Sequence, residues 1–451
     1  MAIDATVVWE MRTDGSNSNG GGFKPGASGT DYSQQNAAQY ALTSATSAGA
    51  GAVILHASAA ADMVGNILKV VSGTNFTVGW YEIISVVVGV SITVDRDVTT
   101  GIGANGVVNV GGAVFSDSDD FYEQLIGGQT VWVKSGTYTQ TASLAVSNTS
   151  PSSSLPVKIS GYNVSRGDNP TGSNRPVFNC ATFTFNFTSD DWRFRDIITT
   201  GTLSTVATMG TSRFYNVKFV NTSGTAARAA VRSNNTKSPV YTYCEFTSTL
   251  GIGCTNSTAI EGGRFFFCYF HDGTHGFYGS NVSLCEFLNC LFVNLSSAGI
   301  ATANILTGGG IIGCTFVGNG STGTAIDIEG TASYCTIRNN IFYNWNFGIE
   351  WASGYVNGEL TDEDFNDFFN NGTDVVNIIK GDNDLALDPQ FTDAGGGDYS
   401  IGTNLKAKGF PSGFPGLSTT TSYFDIGAVQ RQESGVASST SNGRFGRNHF
   451  S

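Results

Sequence analysis

The sequence predicts an all-β protein: a parallel β-helix, or solenoid, of coils of about 25 residues, preceded by a small, mostly-β N-terminal domain. Three observations lead there. A short strand motif centred on Phe recurs at a nearly constant step, the composition is that of strands and turns, and 451 residues are far more than one compact core needs.

The composition excludes most helical architectures. Gly numbers 58 against 9 Pro, and only 13% of residues are charged, while Ser, Thr, Asn, Phe and Val recur throughout. Short strands joined by Gly-containing turns use such residues, whereas long helices need Glu, Lys, Ala and Leu.

The repeat supplies the topology. Aligned on the motif NCLFVN (289–294), the Phe residues are Phe194, Phe219, Phe246, Phe270, Phe292, Phe316, Phe342 and Phe369, at steps of 25, 27, 24, 22, 24, 26 and 27. Two residues earlier stand Trp192, Val217, Cys244, Cys268, Cys290, Cys314, Asn340 and Asp367, a slot that is mostly small or apolar. The intervening position (Arg193, Lys218, Glu245, Tyr269, Leu291, Thr315, Ile341, Phe368) shares no chemistry. One constrained face and one free face define a strand of period two.

A unit this short cannot bury its own apolar face, so successive copies must stack, with equivalent side chains over one another about 4.8 Å apart. The Phe residues then form a ladder, and Cys244, Cys268, Cys290 and Cys314 form a thiol ladder beside it. Two residues after each Phe come Asp196, Asn221, Ser248, Asp272, Asn294, Gly318, Asn344 and Asn371, turn formers that end the strand at a corner. A second rung, Ile252, Phe277, Ile300, Ile326 and Ile349, repeats at the coil spacing and is mostly preceded by Gly or Ala.

Residues 1–115 read differently. The stretches 67–71, 76–88 and 90–96 are short strands joined by Gly-containing turns, and the Ala-rich stretch 38–62 is compatible with a helix. They predict a separate small domain.

Charge narrows the function classes. Lys+Arg at 23 against Asp+Glu at 36 leaves −13, which disfavours a phosphate-backbone partner, so no nucleic acid is expected. No stretch reaches the roughly 20 apolar residues of a membrane span, and MAIDATVVWEMRTDG lacks the basic and apolar regions of a secretory signal. The eight cysteines, without paired CxxC spacing, are expected to be free buried thiols rather than disulfides or zinc ligands.

One constellation could carry chemistry. HDGTH places His271, Asp272 and His275 within five residues, two imidazoles and a carboxylate able in principle to move protons or hold a metal. Asp272 already fits the corner of the repeat, so no catalytic residue, metal or cofactor is assigned, and these three stand only as candidates if the protein is an enzyme. The acidic run TDEDFND (361–367) lacks the Gly-centred spacing of a calcium loop and reads as a solvated turn. Outward aromatics such as Tyr269 and Phe368 could stack on sugars or pack against a neighbouring subunit.

The stretch GGQTVWVKSGTYT (127–139) followed by LPVKISGY (155–162) resembles the entry coil of the right-handed parallel β-helix, or pectate-lyase-like, superfamily. LDPQFTD (387–393), GDYSI (397–401) and DIGAVQ (425–430) resemble the closing segment of many bacterial and viral members. The resemblance implies a β-helix over 116–395, a closing segment over 396–430 and a flexible or partner-bound tail over 431–451. Two signatures of polygalacturonase-like members, Gly-His-Gly and Arg-x-Lys, are absent, and no lyase-type calcium cluster can be assigned.

NGGGF (19–23) and TDYSQQ (30–35) resemble N-terminal attachment modules of β-helix proteins on tailed-phage particles. That resemblance implies a non-catalytic structural protein of the virion surface, a capsid decoration, fibre or tail-associated spike assembled in the host cytoplasm. It would bind other virion proteins through its N-terminal domain, form homo-oligomers, and bind host surface glycans. The alternative is a polysaccharide depolymerase, lyase or glycoside hydrolase, and a third class is a surface adhesin, which the missing signal disfavours.

Overall fold

The computed structural model describes all residues except 1–2, 116, 118, 188, 203–205, 208–210, 224–228, 234–237, 257–259, 321, 353–361, 411–424 and 430–451. It is a right-handed parallel β-helix with a small mostly-β domain near the N-terminus, and it divides into two compact units. Among the described residues no helix is long and apolar enough to cross a membrane. The expected tail, 431–451, lies outside the described residues.

The first unit comprises Met1–Pro170, Asn174–Asn179 and Ser189–Ile197. Its six-stranded sheet has the order Tyr40–Ala45, Thr99–Val110, Ile67–Phe76, Gly79–Val87, Ser91–Val94, Val53–Leu55, with neighbours antiparallel. Leu42, Ile54, Leu68, Val70, Ile83, Ile92 and Val108 pack as its core. The Ala-rich stretch 38–62 is strand and turn rather than helix, ending in one 3-10 turn at Ala61–Met63. Its alanines are broken by Ser, Thr and Gly, so no apolar stripe of helical period forms.

Residue 115 is not where this unit ends. Val8–Met11 pairs in parallel with Thr130–Lys134, which pairs with Val157–Tyr162, which pairs with Trp192–Arg195. The first strand of the chain is thus itself a rung. Buried Trp9 donates from Nε1 to Gln129 Oε1 at 3.0 Å, and buried Glu10 is held by Arg12 at 2.9 Å and Arg166 at 2.8 Å. A carboxylate buried this deeply survives only when paired, and Arg166 thereby stitches the N-terminal strand to a residue far along the chain.

The second unit comprises Thr171–Ser173, Cys180–Thr188 and the chain from Ile198. Each of its coils runs through a three-residue strand, a corner, a second strand and a further strand beyond the next corner. The first strands include Arg213–Tyr215, Val240–Thr242, Arg264–Phe266, Glu286–Leu288, Gly310–Ile312 and Thr336–Arg338, all parallel. Their corner residues, Asn216, Tyr243, Phe267, Asn289, Gly313 and Asn339, all have positive φ. For a residue with a Cβ that conformation costs about 1–2 kcal/mol, least for Asn and nothing for Gly.

The Phe ladder lies on the second strands. Ring centroids are 5.1 Å apart for Phe219–Phe246, then 4.6, 4.7, 4.5 and 5.2 Å up to Phe342. Two of the expected rungs are misplaced. Phe194 lies opposite Ile159, on a strand of the other sheet, whereas the residue opposite Phe219 is Thr199. At the far end the ring on Phe342 is Phe368, at 4.8 Å, and Phe369 pairs with Tyr343 on the outer face. Across the core stands a second aromatic ladder, with Tyr241–Phe265 at 4.9 Å and Phe265–Phe287 at 4.7 Å. Two aromatic columns per coil make the sequence period ambiguous at its ends.

All four ladder cysteines are buried and free. In three of them Sγ faces a backbone carbonyl of the preceding coil: Cys268 to Tyr241 O at 3.5 Å, Cys290 to Phe265 O and Cys314 to Phe287 O at 3.3 Å. Asn340 and Asn366 continue the column, their Nδ2 donating to Ile311 O at 2.8 Å and Ile337 O at 2.9 Å. The slot therefore selects a side chain that can donate to a carbonyl beside the corner. Asn366, not Asp367, fills it, since Asn340 N donates to Asn366 Oδ1 at 2.9 Å.

The position before the second rung is Gly or Ala, and at Gly276 and Gly299 the Gly has a steric reason. A Cβ on Gly299 would stand 2.6 Å from Phe316 Cδ1 and from Ala325 O, and one on Gly276 would stand 2.7 Å from Phe292 Cδ1. The rung itself runs Cys254, Phe277, Ile300, Ile326 and Ile349, while Ile252 lies opposite His275.

The described closing residues cover the outer face of the second strands. Leu291, Val293 and Val317 pack against Tyr399 and Phe391, and Ile341 packs against Ile401, Leu405 and Ile426. Leu291, on the outward side of its strand, is therefore only 4% exposed.

Candidate functional site

The corner after Phe270 brings His271 and Asp272 together but sends His275 elsewhere. Asp272 has φ 52°, and the pairing shifts register between Gly273 and His275. His271 and Asp272 join a network across neighbouring coils. His271 Nδ1 lies 2.7 Å from Asp272 Oδ2 and its Nε2 lies 3.0 Å from Glu245 Oε1, to which Lys218 Nζ comes within 2.7 Å. Asn294 Nδ2 donates to Asp272 Oδ1.

Burial works against the Glu245 charge, yet hydrogen bonds and charges from His271 and Lys218 hold its carboxyl below the usual range. The same balance, with Asn294 and His271 as donors, lowers Asp272. The His271 ring stacks on Tyr269 at 4.2 Å, and Tyr269 packs against the cluster that contains Tyr399. Every charge here has a partner, which makes the network a lock between coils rather than an open reactive centre. Tyr269 and Phe368, read as outward aromatics, are respectively covered by the closing segment and stacked in the core.

His275 sits in a different setting. Its Nδ1 lies 3.1 Å from Thr274 Oγ1, its ring meets Tyr278 edge-on at 5.4 Å, and burial lowers its pKa to about 4, leaving it neutral at pH 7. Two coils along, the same sheet carries a pair of carboxylates. Asp327, between buried Ile326 and Ile328, is directly opposite Glu350, between buried Ile349 and Trp351. The columns read His275, Ala298, Thr324 and Tyr278, Ala301, Asp327, Glu350, so the coil between carries only methyl groups.

Parallel neighbours are about 4.8 Å apart, so the backbones of these two residues lie side by side. Burial, then Glu329 and Glu350, raises the Asp327 pKa to about 6. Thr324 Oγ1 donates to Glu350 Oε2 at 3.1 Å. Two carboxyls in unequal surroundings can act as a proton donor and a nucleophile or base. Periodicity alone passed over them, although each directly follows a second-rung Ile, at an outward position of a strand.

The acidic run is not a solvated turn. Asp362 pairs with Arg338, at 3.0 Å from Nε, and Glu363 and Asp384 both accept from Gly381 N, at 2.8 and 3.0 Å. Burial and the neighbouring Asp384 push Glu363 up to about 8, and burial pushes Asp367 up to about 7. These carboxyls clamp the loop 381–387 onto the last coil; Asp367 Oδ1 accepts from Leu387 N at 2.8 Å. Among the described residues no group of three His, Cys, Asp or Glu side chains is arranged to hold a metal ion.

No protein-family model matches the chain, and no curated protein matches it. Solved structures resemble it in fold. A pectate lyase, Pel9A, aligns at 13% identity with a TM-score of 0.43, over 68% of this chain and 89% of its own. A rhamnogalacturonan lyase aligns at 14% identity with a TM-score of 0.34, over 60% of this chain and 84% of its own. The PL6 family alginate lyase AlyGC aligns at 11% identity with a TM-score of 0.34, over 67% of this chain and 59% of its own. At these identities the likeness is one of fold, and the chain is similar to parallel β-helix proteins of the pectate-lyase-like kind.

Proposed function

We propose that the protein is a polysaccharide depolymerase of the glycoside-hydrolase type, with Asp327 and Glu350 as its acting pair. The observation that carries this reading is the outward, in-register placement of two carboxyls on neighbouring strands, with Asp327 raised to about 6. Asp327 in its protonated form would donate to the leaving oxygen, and Glu350 would attack or stabilise the sugar from its other side. A backbone spacing of about 4.8 Å lets the two side chains reach the retaining geometry, in which the carboxyls lie about 5 Å apart. With Glu329 beside the pair, an anionic chain would meet repulsion, which favours an uncharged substrate.

The test is reducing-end release from uncharged polysaccharides by the full chain. Asp327→Asn should lower the rate at least 100-fold without loss of stability, and the wild-type rate should fall as pH rises through about 6. Equal rates for wild type and variant would end the proposal.

A specific observation favours a second reading, attachment to a particle. Ile84, Val87, Val88 and Val90, on or beside the strand Gly79–Val87 toward its C-terminal end, are between 49% and 65% exposed. Such a patch suits a protein partner. A non-catalytic virion protein would carry it into phage particles, assembled in the host cytoplasm, with sister copies beside it. Val87→Asp/Val88→Asp should then abolish incorporation, and unchanged incorporation would reject this reading.

A further inference from the structure

We propose that the corner preceding the first strands of the second unit carries a binding site for an uncharged polysaccharide, in which Tyr334 stacks on a sugar ring and the cavity beside Leu284 takes sugar hydroxyls. The site is separate from the Asp327–Glu350 pair and does not depend on that pair being catalytic. Asp327 lies on the strand Thr324–Ile328, whereas Tyr334 stands beyond the next strand, Thr331–Ser333.

This corner is a column in register. Glu261 is opposite Ser283, Ser283 opposite Thr307 and Thr307 opposite Ser333, so the residues that follow, Gly262, Leu284, Gly308 and Tyr334, succeed one another coil by coil. All four turn the chain with positive φ, at 70°, 53°, 65° and 57°. Gly adopts that conformation freely, whereas a residue with a Cβ is strained in it. Burial offers no compensation here. Leu284 is 55% exposed and Tyr334 71%, so core packing requires neither side chain at its place. Strain kept in a bulky residue that the core does not use marks a site where the side chain is needed.

The surroundings indicate what it is needed for. A Cβ on Gly308 would stand 2.8 Å from Leu284 Cδ2, so Leu284 leans over the coil that separates it from Tyr334. That coil passes the corner as Gly308, Gly309 and Gly310 and adds no side chain of its own. On its other side a cavity of about 500 Å³ is lined by Ser238, Glu261, Arg264, Leu284, Glu286 and Gly309. Arg264 Nε lies 3.2 Å from Glu286 Oε2, with both side chains substantially exposed. An exposed aromatic face beside hydroxyl, guanidinium and carboxylate groups is the chemistry that recognises a sugar, which presents an apolar ring face and a rim of hydroxyls. From the coil of Arg264 to that of Tyr334 there are three steps of about 4.8 Å, a length that takes a chain rather than a single sugar. Two carboxylates against one guanidinium disfavour a polyanionic chain and leave an uncharged one as the fitting ligand.

Two replacements of Tyr334 test this. Tyr334→Asn removes the ring and substitutes a residue that takes positive φ readily, whereas Tyr334→Phe keeps the ring. The full-length protein and both variants would be run in affinity electrophoresis through gels containing dextran, galactomannan, xyloglucan or β-glucan, with polygalacturonate as the anionic counterpart. The expected result is retardation of the wild type by at least one of the uncharged polysaccharides, kept in Tyr334→Phe and weakened tenfold or more in Tyr334→Asn, whose Tm should be unchanged or higher. An Asp327→Asn variant should remain retarded, which separates this site from the proposed catalytic pair. No retardation of the wild type by an uncharged polysaccharide, retardation by polygalacturonate alone, equal retardation of Tyr334→Asn, its loss in Tyr334→Phe or Asp327→Asn, or a Tm of Tyr334→Asn lower by several degrees would each overturn the proposal.

Discussion

Removing one rung of the ladder tests the register of the whole β-helix. Phe292 is fully buried between Phe270 at 4.7 Å and Phe316 at 4.5 Å, and it also faces Phe287 at 6.2 Å. Truncating a buried Phe to Ala costs about 3–5 kcal/mol, and each lost aromatic pair accounts for about 0.5–1.5 kcal/mol beyond area. Two stacked partners place Phe292→Ala at the upper end of that range. A solenoid spreads the damage only to adjoining coils, so the loss should appear as faster amide exchange in the strands that carry Phe270 and Phe316.

Its neighbour supplies the contrast. Leu291 points away from the core and is buried only because Tyr399 and Phe391 lie over it. Leu291→Ala should cost about 2 kcal/mol, the low end for a buried Leu, because the covering segment can settle into the space. Exchange should then rise in residues 385–401 and stay unchanged in the ladder. Urea unfolding followed by tryptophan fluorescence gives the magnitudes, and exchange mass spectrometry gives the locations. A cost below about 1 kcal/mol for Phe292→Ala, far under the range for a buried Phe, or identical exchange patterns for the two variants, would refute the register.

The remaining expectations are as direct. Cys290→Ala should cost about 1–3 kcal/mol by leaving Phe265 O without its thiol donor, while Cys290→Asn should recover part of that loss, both read from urea midpoints. Gly299→Ala should destabilise more than a surface Gly→Ala change, because the added methyl meets Phe316 and Ala325 O, and a rise in Tm would contradict the close approach. Glu363, raised to about 8, binds its proton in the folded state over a range where the unfolded chain does not. Its contribution is complete below about 4.5, the ordinary Glu value, and disappears as pH rises through about 8. The loop 381–387 should therefore open between pH 6 and 9 by amide exchange corrected for intrinsic rate, and Glu363→Gln should weaken that dependence.

What could be read from the sequence, and what could not, follows from which constraints repeat. Phe219 through Phe342 were legible because every coil imposes the same inward volume, and the thiol column was legible because every coil presents a carbonyl beside its corner. The ends failed where two solutions share a spacing: Phe194 belongs to the other aromatic column, and the pair Phe368–Phe369 is resolved only by Asn366 bonding to Asn340. Partners across coils were hidden for the same reason. His271 reaches Glu245 at a separation of 26, but coils vary in length, so no fixed offset points to it. His275 was grouped with His271 by adjacency, and a register shift between them parts the two. A site used once leaves no period, so in a solenoid function is sought where a residue departs from its column. Asp327 and Glu350 follow Tyr278 and Ala301 in theirs. Stacking alone does not demand the departure at Asp327, which is why Asp327→Asn separates a role in chemistry from a role in folding.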